Sequence, residues 1–281
     1  MKPGAIFLLM LTGLTALILA GGLETSFEPL AFTLIGGTMA AGSANILNNY
    51  IDRSMDANMS RTRDRAIPVG MIEPRAALML GGSLGVGSIA FFLYLVNILT
   101  AFLALGGIVF YVVVYSLWLK PVTKHNVVIG GIAGAFPPLV GWSAVEGTLS
   151  MTAITLGLLV LLWSPVHFWS LALVCKDEYK EAGIPMLPVV EGSAETRNQI
   201  LIYSVALVMV SLAMVSFGGM GKVYLGSAMV LGAPMFLLSF RLWKKDTDAR
   251  AMRVFHFSIF YLTVLFIAMM ADSFMHIGIG L

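Results

Sequence analysis

Nine stretches of about twenty largely apolar residues follow one another along this chain, and no other feature limits its fold as strongly. A bilayer core of about 30 Å is crossed by roughly 17 to 25 residues of helix. The stretches run from Ile6 to Gly22, Leu30 to Asn49, Ala76 to Val96, Thr100 to Leu119, Val127 to Val145, Met151 to Val174, Gln199 to Phe217, Val223 to Leu242 and Val254 to Ile277. Lipid offers no partner to open backbone groups, so spanning segments are helices or strands of a closed barrel, and long apolar runs without strict alternation exclude the barrel. The expected fold is all-α: a polytopic bundle of nine transmembrane helices forming a single domain over residues 1–281. Composition agrees, because 58% hydrophobic and 11% charged residues leave too little polar surface for a water-soluble enzyme.

The basic residues give an orientation. Of the 17 Lys and Arg residues, all but Lys222 fall at the N-terminus or in the loops after the second, fourth, sixth and eighth stretches, which by the positive-inside rule makes the N-terminus cytoplasmic and the C-terminus external. A secretory leader is the competing reading of the start, since Lys2 precedes an apolar run ending in Ala20-Gly21-Gly22. That run is longer than the roughly 7 to 15 residues of a signal core. A net charge of only +2 excludes nucleic acid as a partner. The single cysteine, Cys175, excludes an intrachain disulfide framework and any multi-cysteine metal site. Neither an internal repeat nor a low-complexity linker is present.

The second stretch runs on into Asn48-Asn49-Tyr50-Ile51-Asp52-Arg53-Ser54-Met55-Asp56. Asn48, Asp52 and Asp56 are spaced by four and form one stripe on a helix. Like charges there repel, so a cation is expected between them. Hard oxygen ligands too few for a closed cage suit Mg²⁺ that keeps waters and takes further ligands from a substrate phosphate. Solvated acids paired with Arg53 or its neighbours fit the spacing equally well. The following loop carries Arg61, Arg63 and Arg65, whose guanidinium groups are shaped for phosphate oxygens, although any cytoplasmic loop collects positive charge. A second acidic run, Asp177, Glu178 and Glu181, follows the sixth stretch. Both runs emerge on one membrane face and together offer a two-metal clamp for a diphosphate; Lys176 and Lys180 offer local neutralisation instead.

Asn48, Asp52 and Asp56 at spacing four, followed by Arg61-Thr62-Arg63 and Pro68, resemble the first aspartate motif of the UbiA superfamily of intramembrane prenyltransferases. Trp118-Leu119-Lys120 with Asn126 and Ile129-Gly130-Gly131, Gly134-Ala135-Phe136-Pro137-Pro138 through Trp142, and His167-Phe168-Trp169 through Tyr179 to Pro188 are similar to its heme-farnesylating branch. The resemblance covers nearly the whole chain. It departs at Ala66, at Pro121 and at Glu178, where the family usually has proline, a basic residue and aspartate. It implies transfer of a farnesyl group from farnesyl diphosphate to a vinyl group of heme B at the cytoplasmic face of the cell membrane, giving heme O. Asn48, Asp52, Asp56, Asp177, Glu178 and Glu181 would then serve Mg²⁺, and Arg61, Arg63, Arg65 and Lys120 the diphosphate. A heme A synthase or a terminal oxidase is the implied downstream partner, and the lipid bilayer the medium.

His167 lies eleven residues before Glu178, about 16 Å deeper on a regular helix, and reads either as a heme contact or as a histidine bonded to a neighbouring helix. His125, His256 and His276 sit near helix ends and read as exposed. Pro137-Pro138 should interrupt the fifth helix, opening a cavity or merely kinking it. Gly81-x-x-x-Gly85 reads as close helix packing, and the 18 methionines as flexible core filler. Two alternatives stand beside this reading: prenyl transfer to an aromatic quinone precursor, and a membrane transporter, against which the acids at helix ends and the lack of an inverted repeat both count.

Overall fold

Lipid exposure forces each apolar stretch to satisfy its own backbone, and the computed structural model, which describes residues 3–22 and 27–278, is helical in all of its regular structure. Nine long helices are seen among the described residues. They are α1 (Pro3–Gly21), α2 (Phe27–Ile51), α3 (Pro74–Leu95), α4 (Ile98–Val122), α5 (Asn126–Glu146), α6 (Met151–Val174), α7 (Gly192–Phe217), α8 (Lys222–Lys244) and α9 (Asp248–Gly278). Eight are long and apolar enough to cross a membrane; the apolar part of α1, Ile6–Gly21, is shorter. Lys2 and the His276 side chain lie outside the described residues.

Local signals set the helix ends. The Asn97 side chain accepts the Thr100 N–H at the start of α4, and Ser150 accepts the Ala153 N–H at the start of α6. Pro74 opens α3, and α5 closes on Gly147 at φ 65°, a left-handed position that glycine adopts without strain. Consecutive helices pack side by side from α1 to α5, and α6 packs against α5, α7 and α9. α1 also packs on α5 and α9, which closes the ring.

Small residues on α3 permit its close approach to α2. A methyl group on Gly81 would come within 2.9 Å of Leu47, one on Gly85 within 2.7 Å of Ser43 Oγ, and Ser43 Oγ donates to the Gly81 carbonyl at 2.7 Å. Gly81-x-x-x-Gly85 is therefore the α2 contact face of α3. Met59, Met186, Met214, Met235 and Met269 are buried filler.

The end of the bundle opposite the acids is held by a buried carboxylate. Asp272 on α9 accepts the backbone N–H groups of Gly221 (2.5 Å), Val223 (3.1 Å) and Tyr224 (3.0 Å) at the start of α8. A carboxylate there meets both the open donors and the positive pole of the helix. Asp272→Ala is expected to cost roughly 2–3 kcal/mol, read as a lower thermal unfolding temperature in detergent with diphosphate affinity unchanged.

Candidate active site

Inside the ring lies a cavity of about 580 Å³. Thr33, Gly37, Ala40, Ala44 and Asn48 of α2 and Asp52 just after it line the cavity at helical spacing, so it follows that helix for roughly 28 Å at about 1.5 Å per residue. The small side chains in the middle of the stripe leave the space open. Phe136, Pro137 and Val140 of α5, Trp163 of α6 and Leu262 of α9 make its apolar wall.

Asp52 and Asp56 lie at one end of the cavity and are only 4% and 3% exposed. They are not the solvated loop acids that spacing alone allowed, and Arg53 is not their partner: it donates to the Tyr50 carbonyl and stacks over the Tyr50 ring. The expected cations are instead side chains. Lys120 Nζ bonds Asp52 Oδ2 at 2.5 Å, and an Arg65 terminal nitrogen bonds Asp56 Oδ2 at 2.5 Å. Asn48 Nδ2 donates both to Asp52 Oδ2 and to Ser116 Oγ, each at 2.9 Å. No described hydrogen bond engages Oδ1 of either aspartate. Two buried carboxylates that both border a cavity fit a hard divalent cation taking one or two protein carboxylates, waters and phosphate oxygens.

The segment Phe110–Leu119 of α4 is a π-helix, a rare geometry that tends to occur at functional sites. Its wider turn places Tyr111, Tyr115 and the following Lys120 on the cavity. Tyr111 and Tyr115 stack at 5.6 Å. Tyr115 occupies the place of a side chain at Gly130, where a methyl group would meet its ring at 2.3 Å. Neither tyrosine stands out in the sequence, because a run of Phe, Tyr, Val and Trp reads as an ordinary apolar span. The helix interruption at Pro137-Pro138 is also explained. α5 passes through a 3₁₀ segment, Gly131–Ala135, before resuming at Phe136, and Gly131, Ala133, Gly134 and Pro137 all border the cavity.

The loops after α2 and α6 meet. Ser60 Oγ donates to Glu178 Oε1 at 2.5 Å, and the Arg61 guanidinium bonds the Tyr179 phenol. Burial raises the Tyr179 pKa above its usual value while Arg61 draws it back, so the phenol stays protonated at neutral pH. The carboxylates of the two runs do not converge: among the described residues no three Asp, Glu, His or Cys side chains are grouped to hold one metal ion. On the short helix Lys176–Glu181, Tyr179 faces inward and lines the cavity, which turns Asp177 and Glu181, two positions away on either side, to the exposed surface. Glu178 is half-buried. In the first loop Met59 and Thr62 are buried, with Thr62 Oγ1 donating to the Asp56 carbonyl. Arg61 and Arg65 border the cavity, whereas Arg63 is exposed and does not. Arg63, Asp177 and Glu181 thus fall outside the site the sequence had gathered them into.

His167 lines the same cavity and is bonded to a neighbouring helix. Its Nδ1 is 2.9 Å from Ser258 Oγ on α9, and its ring is stacked between Trp163 (4.5 Å) and Phe255 (4.4 Å). His125 and His256 are exposed as expected.

A closed ring of membrane helices around an apolar chamber, with paired acids and bases at one end, is the build of an intramembrane prenyltransferase. The model of the UbiA prenyltransferase family matches residues 9–268, and the chain belongs to that family. Its similarity is high to proteins called protoheme IX farnesyltransferase. One from Gloeobacter violaceus is 48% identical over 97% of this chain and 90% of its own length. Another, from Roseiflexus sp., is 43% identical over 96% of this chain and 51% of its own, so the chain spans about half the length of that relative. Among solved structures, a digeranylgeranylglyceryl phosphate synthase shares the fold with a TM-score of 0.80 at 17% identity, covering 95% of this chain and 93% of that one. A UbiA homologue from Archaeoglobus fulgidus bound to DMAPP and Mg²⁺ has a TM-score of 0.75 at 16% identity, covering 98% and 97%.

Proposed function

We propose that the chain transfers the farnesyl group of farnesyl diphosphate to a vinyl group of heme B, releasing diphosphate and giving heme O. The observation that carries this reading is the joining of Asn48, Asp52, Asp56, Arg61, Arg65 and Lys120 at one end of an apolar chamber lined by His167. The names of the relatives at 43% to 48% identity support heme as the acceptor. The positive-inside pattern supports a position of this end at the cytoplasmic face of the cell membrane.

The diphosphate sits among Arg61, Arg65 and Lys120, with the isoprenoid tail in the chamber. Asp52 and Asp56, with Asn48 beside them, would hold Mg²⁺, which would draw charge from the departing diphosphate. The C1–O bond breaks with its electron pair leaving on the diphosphate oxygen. Lys120 and Arg65, which answer the aspartates before the substrate binds, turn to the developing phosphate charge. The stacked rings of Tyr111 and Tyr115 line the path of the allylic cation, which their π-faces attract. The vinyl π-electrons bond to C1, and water adds at the carbon next to the porphyrin, losing a proton to leave the hydroxyethylfarnesyl group. Glu178, bonded to Ser60 and next to the cavity-lining Tyr179, is the member of the second acidic run best placed to join the cation site. His167, fixed by Ser258 and two aromatic rings, is the heme contact. The apolar product then passes within the bilayer toward a heme A synthase or a terminal oxidase.

Membranes holding the chain, incubated with labelled farnesyl diphosphate and either heme B or an aromatic quinone precursor, are expected to label heme alone; label in the precursor and none in heme would overturn the reading. Chelating divalent cations should abolish transfer, and Mg²⁺ should restore it. His167→Phe keeps the ring stack and removes the nitrogens. It is expected to weaken heme binding about tenfold in a Soret titration with diphosphate binding unaltered, and an unchanged titration removes His167 from the heme site.

A further inference from the structure

A second, smaller cavity of about 200 Å³ opens on the other side of α9, between the last turn of α8 and the first turns of α9. It is lined by Leu238, Arg241, Arg250 and Arg253. Along α9, Arg250 and Arg253 lie roughly 140° and 160° around the helix from the cavity-lining Phe255, so this pocket does not communicate with the heme and diphosphate chamber.

Its electrostatics are uncompensated. From Arg241 to Arg253 the chain holds five basic residues, Arg241, Lys244, Lys245, Arg250 and Arg253, against Asp246 and Asp248. Asp246 pairs with Arg197, and among the described residues no carboxylate lies within salt-bridge distance of Arg241, Arg250 or Arg253. Arg250 is anchored by a bond from its guanidinium to the Arg241 carbonyl at 2.5 Å, which fixes it at the C-terminus of α8, where a cation is favoured. Positive charge at an inner loop is ordinary, but three guanidinium groups converging on one concavity repel unless an anion sits among them.

The surface below the pocket is apolar. Phe257 and Phe260 follow Arg250 and Arg253 at helical spacing and touch each other at 5.8 Å. Phe260 is 54% exposed, and Leu238 is half-buried on the facing side of the pocket. Guanidinium groups at a helix end, with the exposed Phe260 about two turns further along the helix, match an ionised phosphate headgroup with its acyl chains beneath.

We propose that this pocket binds the headgroup of an anionic phospholipid. The inference is independent of the farnesyl transfer reading. The test uses the full chain reconstituted with equal amounts of phosphatidylcholine and phosphatidylglycerol, then released for native mass spectrometry. Phosphatidylglycerol should be retained in preference. The double variant Arg241→Gln/Arg253→Gln leaves the anchoring bond of Arg250 in place and should retain at least about tenfold less, with helicity and transfer activity in phosphatidylcholine unchanged. Equal retention of the two lipids by the parent chain, or undiminished phosphatidylglycerol on a folded double variant, overturns the proposal. So does displacement of the lipid by inorganic phosphate at matched concentration, which would mark a site for soluble anions. If the double variant fails to fold, the lipid preference of the parent chain and the phosphate competition still decide.

Discussion

Asp52→Asn and Asp56→Asn are each expected to lower farnesyl transfer by about a hundredfold to a thousandfold or more, the scale of losing a principal group that stabilises developing charge. The asparagine variants are the informative ones. Asp52 is 4% exposed and bonded to Lys120, so Asp52→Ala leaves a buried ammonium without its partner. Breaking a buried pair in this way costs about 3–5 kcal/mol, and the variant would lose activity through folding alone. Asparagine keeps the volume and an oxygen acceptor while removing the charge. The same holds for Asp56 and Arg65. Membrane insertion should persist and the unfolding temperature should fall less than in the alanine variants, while product measured by mass analysis of extracted hemes disappears. Full activity of either asparagine variant at limiting Mg²⁺ would remove the aspartates from the cation site. Lys120→Met separates the two duties of that lysine: diphosphate affinity should fall even if the fold survives the loss of the pair.

Gly141→Ala is expected to be the most damaging single methyl group in the bundle. Built on Gly141, a Cβ would lie 1.9 Å from the backbone carbonyl oxygen of Gly13. That oxygen belongs to a helix and has no rotamer to move. α1 and α5 must separate, and α1 also packs on α2 and α9, so the strain spreads through the ring. Overpacking a well-filled interior typically costs about 1–3 kcal/mol, and a backbone clash of this depth belongs at or above the top of that range. Leu8, Leu9 and Thr12 of α1 border the main cavity, so surviving protein should also bind substrate poorly. Gly226→Ala is the control. A methyl group there meets nothing within 4 Å, and inside α8 it should be neutral or stabilising by roughly 0.5–1 kcal/mol. Equal unfolding temperatures for Gly141→Ala and the parent would contradict the packing described here.

Much of the site follows from local periodicity. Asn48, Asp52 and Asp56 fall on one stripe because four residues nearly complete a helical turn, and this holds wherever the helix lies. The short helix Lys176–Glu181 shows where periodicity stops. Its acids stand close together in sequence, yet none of them borders the cavity, because Tyr179 is the residue that burial drew inward. A charged run carries no apolar stripe from which that rotation can be read. Tyr111 and Tyr115 were hidden for the opposite reason. In a continuous apolar run every face looks alike, and the π-helical turn that directs them inward is set by contacts with α2 and α5.

The sequence by itself determined that this is a helical membrane bundle, how many apolar segments it has, and which oxygen-bearing side chains share a face, because bilayer thickness and the pitch of the helix are fixed lengths that any chain must meet. Only the tertiary structure decided that Lys120 and Arg65 answer the two aspartates, that His167 shares their chamber, and that Arg63, Asp177 and Glu181 remain outside it. Those choices depend on the relative rotation of helices far apart in the chain, and rotation is settled by side-chain packing between neighbours, here by close approaches such as Gly141 on Gly13 and Tyr115 on Gly130.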